Sequence, residues 1–370
     1  MENLEELKQF LKKKVTSSFK VVVMPDFFLD HFVKFEDDFE TVMEKMKAVV
    51  ERGGGNILDN KQSVLRGGNA SNLASALATL GVQVTLAGET DPLGETLLEH
   101  FLEPLGVDLS LVSISGHMSS NVALEFKHKG RLTNIMCCDM GSLENFGPEK
   151  VSQEIVTKLK EKPHLVAVVN WIENLRGTEL AKKIFEIAKA QGSLTFLDTG
   201  DLSVREKDIP DLLNNLLLTD LVDIFGFNEN EALWLTSYYD KKFNERRKKE
   251  NVFNLADEAL KILGEKLKYK ICMHTPYYAI LLDKGKEYKI PSFDIEPLRA
   301  TGSGDSWNSG FISGLLAGLS LENQVLLGHA VAGAYLTNPA GAHQNLKEIL
   351  SFINNVTIGE IFRDHSFYLN

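Results

Sequence analysis

A chain of 370 residues, 44% hydrophobic and 25% charged, has the material for a large buried core and the composition of an ordinary soluble globular protein. Its formal net charge of −11 excludes the broad basic face that nucleic acid requires. Three cysteines, the adjacent Cys137 and Cys138 and the distant Cys272, exclude a disulfide framework and fit a reducing cytoplasm.

Charges run throughout Met1–Lys14 with no long apolar core, which predicts neither a signal peptide nor a membrane span. Leu4, Leu7, Phe10 and Leu11 recur at helical spacing, so the segment reads as an amphipathic helix. Lys20–Met24 is a short strand. The apolar stretch that follows, Asp26 to Phe35, contains Asp26, Asp30 and His31, and an unpaired buried carboxylate is costly. Asp30 is therefore either exposed at a strand end or held by partners. Phe39–Glu51 has helical periodicity and stops at three glycines, Gly53 to Gly55; it reads equally as a surface helix or as part of a lid.

Gly67 to Gly81 places two glycines before a helix whose apolar face is Leu73, Leu77 and Leu80, with Asn69 as its expected cap and Gly81 as its end. The same glycines, with Asn72, put an amide side chain and free backbone N–H groups at one mouth, which suits hydroxyls. A strand over 82–88 and a helix over 94–105, closed by Gly106, come next. Strands over 109–114, 122–126 and 131–138 read together as a small hairpin sheet with a turn at Lys129-Gly130.

From Glu149 short apolar strands alternate with amphipathic helices: strands over 165–169, 194–197 and 222–225, helices over 149–159, 179–190 and near 212–217. This predicts a mainly parallel sheet covered by helices on both faces, with ligands held at the strands' carboxyl ends, where Asn170, Trp171, Asp198 and Asn228 fall. Asn228 and Glu231 share a helix face and read either as a cap with an acidic first turn or as a metal-linked pair. The basic run from Lys241 to Lys249 is a solvated face.

The most informative stretch runs from Ala300 to Phe311, Ala-Thr-Gly-Ser-Gly-Asp-Ser-Trp-Asn-Ser-Gly-Phe. Gly302, Ser303 and Gly304 let the backbone approach a ligand and aim successive N–H groups one way, and the following helix adds the positive end of its dipole, which makes an anion site. Asp305 would repel a phosphate if it only sat beside one. Its natural use is to take a proton from a hydroxyl; a bare G-x-G-D reads otherwise as an aspartate capping a helix after a glycine turn.

T-G-S-G-D-S-W-N-S-G-F resembles the C-terminal signature of the ribokinase and phosphofructokinase-B family of small-molecule kinases, and G-G-N-A-S-N-L-A with the later L-G resembles its N-terminal signature. That resemblance implies an α/β fold: a ribokinase-like three-layer sandwich with a mainly parallel central sheet and a small β-sheet lid. One kinase domain would span 1–370, with lid insertions near 25–66 and 107–140. It implies ATP-dependent transfer of a γ-phosphoryl group to a hydroxyl of a sugar, polyol or nucleoside. Asp305 would be the base, Gly302, Ser303 and Gly304 the anion hole, and Asp30, Gly67, Gly68 and Asn72 the acceptor site, with Asp26 competing with Asp30. Asn228 and Gly341 would meet the nucleotide, and Glu231 would serve Mg2+. A homodimer through the lid and a cytoplasmic location are in keeping with it; nucleic acid and membrane are not expected partners.

Two features depart from the family pattern. Arg299 replaces an aspartate tied to a monovalent cation, so no potassium dependence is expected. Met273 to Ala279 lacks the two glycines common at the nucleotide, and Pro276 with two tyrosines stiffens that loop. A nucleoside kinase would stack a base on Phe27, Phe28 or Trp171; a degenerate sugar or nucleotide sensor is the reading that Arg299 and the lost glycines would favour, and the intact Asp305 opposes it.

Overall fold

The computed structural model describes residues 2–13, 15–58, 60–128, 131–299 and 301–361. The expected turn at Lys129-Gly130 and the first residue of the glycine-rich stretch, Ala300, lie outside the described residues. The first half of the chain forms α1 (Glu2–Lys13), β1 (Lys20–Met24), β2 (Phe28–Asp38), α2 (Phe39–Glu51), β3 (Asn60–Gly67), α3 (Asn69–Thr79), β4 (Gln83–Glu89), α4 (Pro92–Leu102), β5 (Asp108–Ser113), β6 (Ser119–His128) and β7 (Arg131–Asp139). The alternating half forms α5 (Gln153–Lys160), β8 (Leu165–Val168), α6 (Gly177–Gln191), β9 (Leu194–Asp198), α7 (Ile209–Leu212), β10 (Ile224–Asn228), α8 (Glu229–Tyr239), α9 (Lys241–Arg246), α10 (Val252–Lys266) and β11 (Lys270–His274). The chain closes with β12 (Tyr278–Asp283), β13 (Lys286–Pro291), α11 (Ser303–Leu316), α12 (Leu321–Leu336) and α13 (Leu346–Asn355).

A nine-stranded sheet in the order β13-β12-β11-β10-β9-β8-β1-β4-β5 forms the centre. It is parallel from β11 to β5, with β12 and β13 added antiparallel at one edge. Its inner strands are continuous apolar runs, Val21–Met24 and Leu165–Val168 being buried throughout, because helices cover both faces. Leu180, Ile184, Leu235, Leu260 and Phe227 belong to the core on one face; Leu73, Leu77, Trp307, Phe311 and Val325 belong to the core on the other. Strand order reverses between β1 and β8, and Asp198, Asn228 and His274 stand at the carboxyl ends of β9, β10 and β11, beside this crevice.

A separate four-stranded sheet, in the order β3-β2-β6-β7, pairs β2 with β6 in parallel and β2 with β3 and β6 with β7 antiparallel. At one end of the sheet, α2 packs through Val42 on Phe35 and Phe126. The strand expected over 109–114 does not belong here. As β5 it pairs in parallel with β4 at the edge of the central sheet, with Ala87 opposite Leu111. The reason is the intervening helix: β4-α4-β5 is a crossover unit, and such a connection delivers its second strand parallel to the first. The helix expected near 212–217 is present and starts earlier, at Ile209: α7 runs directly into a π-helical turn over Leu213–Leu217. Among the described residues no helix is long and apolar enough to cross a membrane.

Candidate active site

At the carboxyl edge of the central sheet, roofed by the small sheet, lies a cavity of about 220 Å³. The amino-terminal ends of three helices, α3, α8 and α11, border it. At α11, Gly302 takes the left-handed conformation at φ 80°, and a Cβ there would come within 2.9 Å of the Tyr335 hydroxyl, so the position requires glycine. Among the described residues no side chain caps α11. Its amino-terminal end borders the cavity, whose lining includes Thr301, Gly302, Gly304 and Asp305, and an uncapped helix start of this kind is able to take an anion. Ser303 is the first residue of that helix but is not part of the cavity wall.

Asp305 is 7% exposed, and its Oδ2 accepts a hydrogen bond from Asn72 Nδ2 at 3.2 Å. Burial, reinforced by the charge of Asp198, raises its pKa well above the ordinary carboxylate range. Asn72 is itself held on the other side, its Oδ1 accepting from Arg66 Nε at 3.2 Å. Arg66 also donates to His343 Nδ1 at 3.3 Å, as Ser75 Oγ does at 3.0 Å; His343 Nε2–H then donates to Ser306 Oγ at 3.0 Å, and Ser306 Oγ to Gly302 O at 2.8 Å. This chain of bonds runs from the small sheet to the turn that forms the anion site.

At the other end of the cavity Asp30 of β2 accepts from Asn121 Nδ2 of β6 at 2.8 Å, the two standing opposite one another in the parallel register. Asn121 Oδ1 is buried without a partner among the described residues and is left for an incoming donor. Gly67 is outside the cavity wall but lies directly beneath Asp30: a Cβ there would fall 2.2 Å from the carboxylate. Gly68 lines the cavity at φ 90° and is the N-cap of α3, in place of the expected Asn69. The cap role passes to Asp26, whose Oδ1 accepts from Ala70 N at 2.9 Å, because Gly68 has no side chain to offer. Asp26 also accepts from Asn170 Nδ2 at 3.1 Å, and burial pushes its pKa up to about 7. Of the two aspartates, Asp30 faces the cavity and Asp26 seals a helix behind it.

Asn228 and Glu231 line the third side and close a full capping box: Glu231 N donates to Asn228 Oδ1 at 3.0 Å, and Asn228 N to Glu231 Oε2 at 3.0 Å. Asp198, also in the wall, accepts from Asn308 Nδ2 at 2.7 Å. Burial raises the pKa of both carboxylates, and in Glu231 the charge of Asp198 adds to it. The cavity wall holds five carboxylates, Asp30, Glu173, Asp198, Glu231 and Asp305, and no Lys or Arg among the described residues. That unbalanced charge suits a divalent cation. Among the described residues no cluster of three or more metal-type side chains is assembled, and both Glu231 oxygens are engaged with Asn228, so any divalent cation here would have to keep most of its waters.

Gly341 lies outside the cavity, at φ 68° in a turn where the Arg299 guanidinium fills the space a side chain would need. Arg299 donates to the carbonyls of Asn338 and Pro339 at 2.7 and 3.0 Å. Of the aromatics expected for stacking, only Phe28 lines the cavity; Phe27 belongs to the core, and Trp171 is buried beneath Arg205 with its Nε1 donating to Thr178. Sequence reasoning missed Asn121, Glu173, Met136 and His274 in the wall and Arg66 behind it. Only Arg66 carried a usable signal, a charged residue directly before the paired glycines.

The model of the pfkB family carbohydrate kinases matches residues 39–348. The ribokinase of Haemophilus influenzae is 23% identical over 308 residues, which is 82% of this chain and 92% of that protein. The 5-dehydro-2-deoxygluconokinase of Clostridium beijerinckii is 24% identical over 278 residues, 72% of this chain and 76% of that protein. Among solved structures, Arabidopsis thaliana ribokinase complexed with ribose and ATP superposes with a TM-score of 0.68 at 18% identity, over 90% of this chain and 98% of that one.

Proposed function

Since the chain belongs to the pfkB family of carbohydrate kinases, phosphotransferases with an alcohol group as acceptor, we propose that it transfers the γ-phosphoryl group of ATP to a hydroxyl of a sugar or polyol, with Asp305 as general base. The observation that carries this reading is the contact of two features at one point: among the described residues, the only one of the three bordering helix ends left without a side-chain cap, and a buried carboxylate in its first turn. An anion held on the amides of 302–305 stands next to a group able to take the acceptor's proton.

The residues divide the work by position. Asp30, Asn121 and Asn72 offer hydrogen bonds to acceptor hydroxyls, with Gly67 and Gly68 allowing that approach. Asp305 takes the proton of the hydroxyl that attacks; its raised pKa makes it a stronger base than an exposed carboxylate. The α11 amides stabilise charge that develops on the transferring group, a contribution that costs no reorganisation because the helix already points there. Asn228 and Glu231 border the phosphate side, where Mg2+ would neutralise phosphate charge when bound.

A sugar or polyol is favoured over a nucleoside because a cavity of about 220 Å³ with Phe28 as its one Phe, Tyr or Trp among the described residues offers a base no sandwich. Arg299 supports independence from potassium, since its guanidinium already satisfies the carbonyls of 338 and 339. Two copies would pair through the small sheet, where Val64, Val122 and Ile135 are exposed beside the part that α2 covers. The test of the activity is mass-spectrometric detection of phosphorylated product from Mg-ATP and a panel of sugars, sugar phosphates, inositols and nucleosides. Product from a neutral sugar or polyol supports the reading; product from nucleosides alone, or none at all, contradicts it.

A further inference from the structure

His274 is the last residue of β11, opposite Asn228 of β10 and Ala279 of β12. Its ring packs on Trp307, centroids 5.2 Å apart and planes 34° from parallel, and forms part of the cavity wall. The hairpin that follows is tight: Thr275 N donates to Tyr278 O at 2.8 Å. It stands over the first turn of α11, where a Cβ on Gly304 would lie 3.3 Å from its Cε1 and 3.7 Å from its Nε2. Nε2 is buried and has no partner among the described residues.

A buried polar atom without a partner in a native fold calls for an explanation. An apolar side chain could fill this place against Trp307 without leaving a nitrogen unpaired. The unpaired nitrogen sits beside the uncapped amides of α11, which point at the same space, so the missing partner is an oxygen anion that arrives with a ligand. The wall holds no Lys or Arg among the described residues, so a bound anion there would have to be met by amides and neutral side-chain donors, and the imidazole is the one that stands over the first turn of α11. Burial lowers its pKa to about 4, so in the empty cavity the ring is neutral and one nitrogen carries a proton to donate.

We propose that His274 is a phosphate-binding residue: its imidazole Nε2–H donates to the terminal phosphoryl oxygens of the donor nucleotide, completing with the α11 amides the cradle that Gly304 leaves room for. This rests on the phosphotransfer reading above. It also accounts for the loop that lacks two glycines, since a side-chain donor takes over at the strand end.

The test compares the full-length wild type with His274→Gln and His274→Leu. Calorimetric affinities for Mg-ATP, Mg-ADP and AMP would be measured together with kcat and KM on an accepted acceptor. The expected result is a tenfold or larger loss of ATP affinity or kcat in His274→Leu, a loss below twofold for AMP, and substantial recovery in His274→Gln, which can still donate N–H. If the variants do not fold, imidazole ¹H–¹⁵N resonances of the wild type serve instead, and the His274 Nε2 signal shifts on adding Mg-ATP. Unchanged kinetics in a folded His274→Leu, or an unmoved His274 signal, overturns this assignment alone. A wild type that binds no nucleotide overturns the phosphotransfer reading and this assignment with it.

Discussion

Two helices present their amino-terminal ends to the same cavity and treat them in opposite ways. At α8, Asn228 and Glu231 satisfy one another's backbone in a closed capping box. At α11, the cap is Gly302, with no side chain, and among the described residues no side chain accepts from the first-turn amides. α3 resembles α8 in outcome, sealed from outside by Asp26. A side-chain cap is worth about 0.5–2 kcal/mol. Leaving it off α11 alone forgoes that stabilisation at the one place where a phosphate would supply the missing acceptors. Sealed ends hold the walls; the open end is free to bind.

The largest effect is expected from removing the base beside the open end. Asp305→Asn should lower turnover by roughly 10²–10⁴, while its melting temperature stays level or rises, because a buried carboxylate with a raised pKa costs stability at neutral pH. Kinetics and thermal melts on one preparation check both halves. Closing the open end itself comes next. Gly302→Ala forces a side chain into a left-handed position and against Tyr335, and misaiming a donor there should cost roughly 10²–10³ in kcat, with acceptor KM little changed.

A smaller, graded effect concerns pH. As the proposed base, Asp305 would have to be ionised, and burial holds its pKa above the ordinary value near 4. A pH–rate profile should therefore show kcat/KM falling about tenfold per unit on the acid side, with the fall beginning above the ordinary carboxylate range. A profile flat down to pH 4 would remove Asp305 from the role of base. Unsealing the closed end sharpens the contrast: Asn228→Ala should lose about 0.5–2 kcal/mol of stability, and Glu231→Ala should raise the Mg2+ concentration needed for half-maximal rate. The smallest effect is none at all. Rates in potassium and sodium at equal ionic strength should agree, given Arg299 on the carbonyls of 338 and 339; strong activation by potassium would contradict it.

Much of this architecture was legible in the sequence because it is written in local patterns. Apolar runs such as Val21–Met24 and Leu165–Val168 announce strands buried on both faces, and Gly302-Ser303-Gly304 before a helix announces an open amino terminus. Edge strands were harder. β5 alternates weakly, and nothing local says whether it joins the neighbouring sheet or the central one; the crossover helix decides it. Asn69 was misread as a cap because its type suits the role, whereas the chain brings Asp26 from 44 residues away to fill it. Asn121, Glu173 and His274 reach the cavity only through strand pairing and the turn after β8, and their neighbours in sequence carry no sign of it.

The open end of α11 is proposed to hold the transferring phosphoryl group. The most direct measurement is a crystal structure with Mg-ADP, an accepted sugar or polyol, and a planar phosphoryl mimic such as aluminium fluoride. The mimic is expected on the amides of 302–305, with the acceptor oxygen in hydrogen-bond contact with Asp305. A mimic seated instead at the end of α8, or an acceptor oxygen turned away from Asp305, would contradict it.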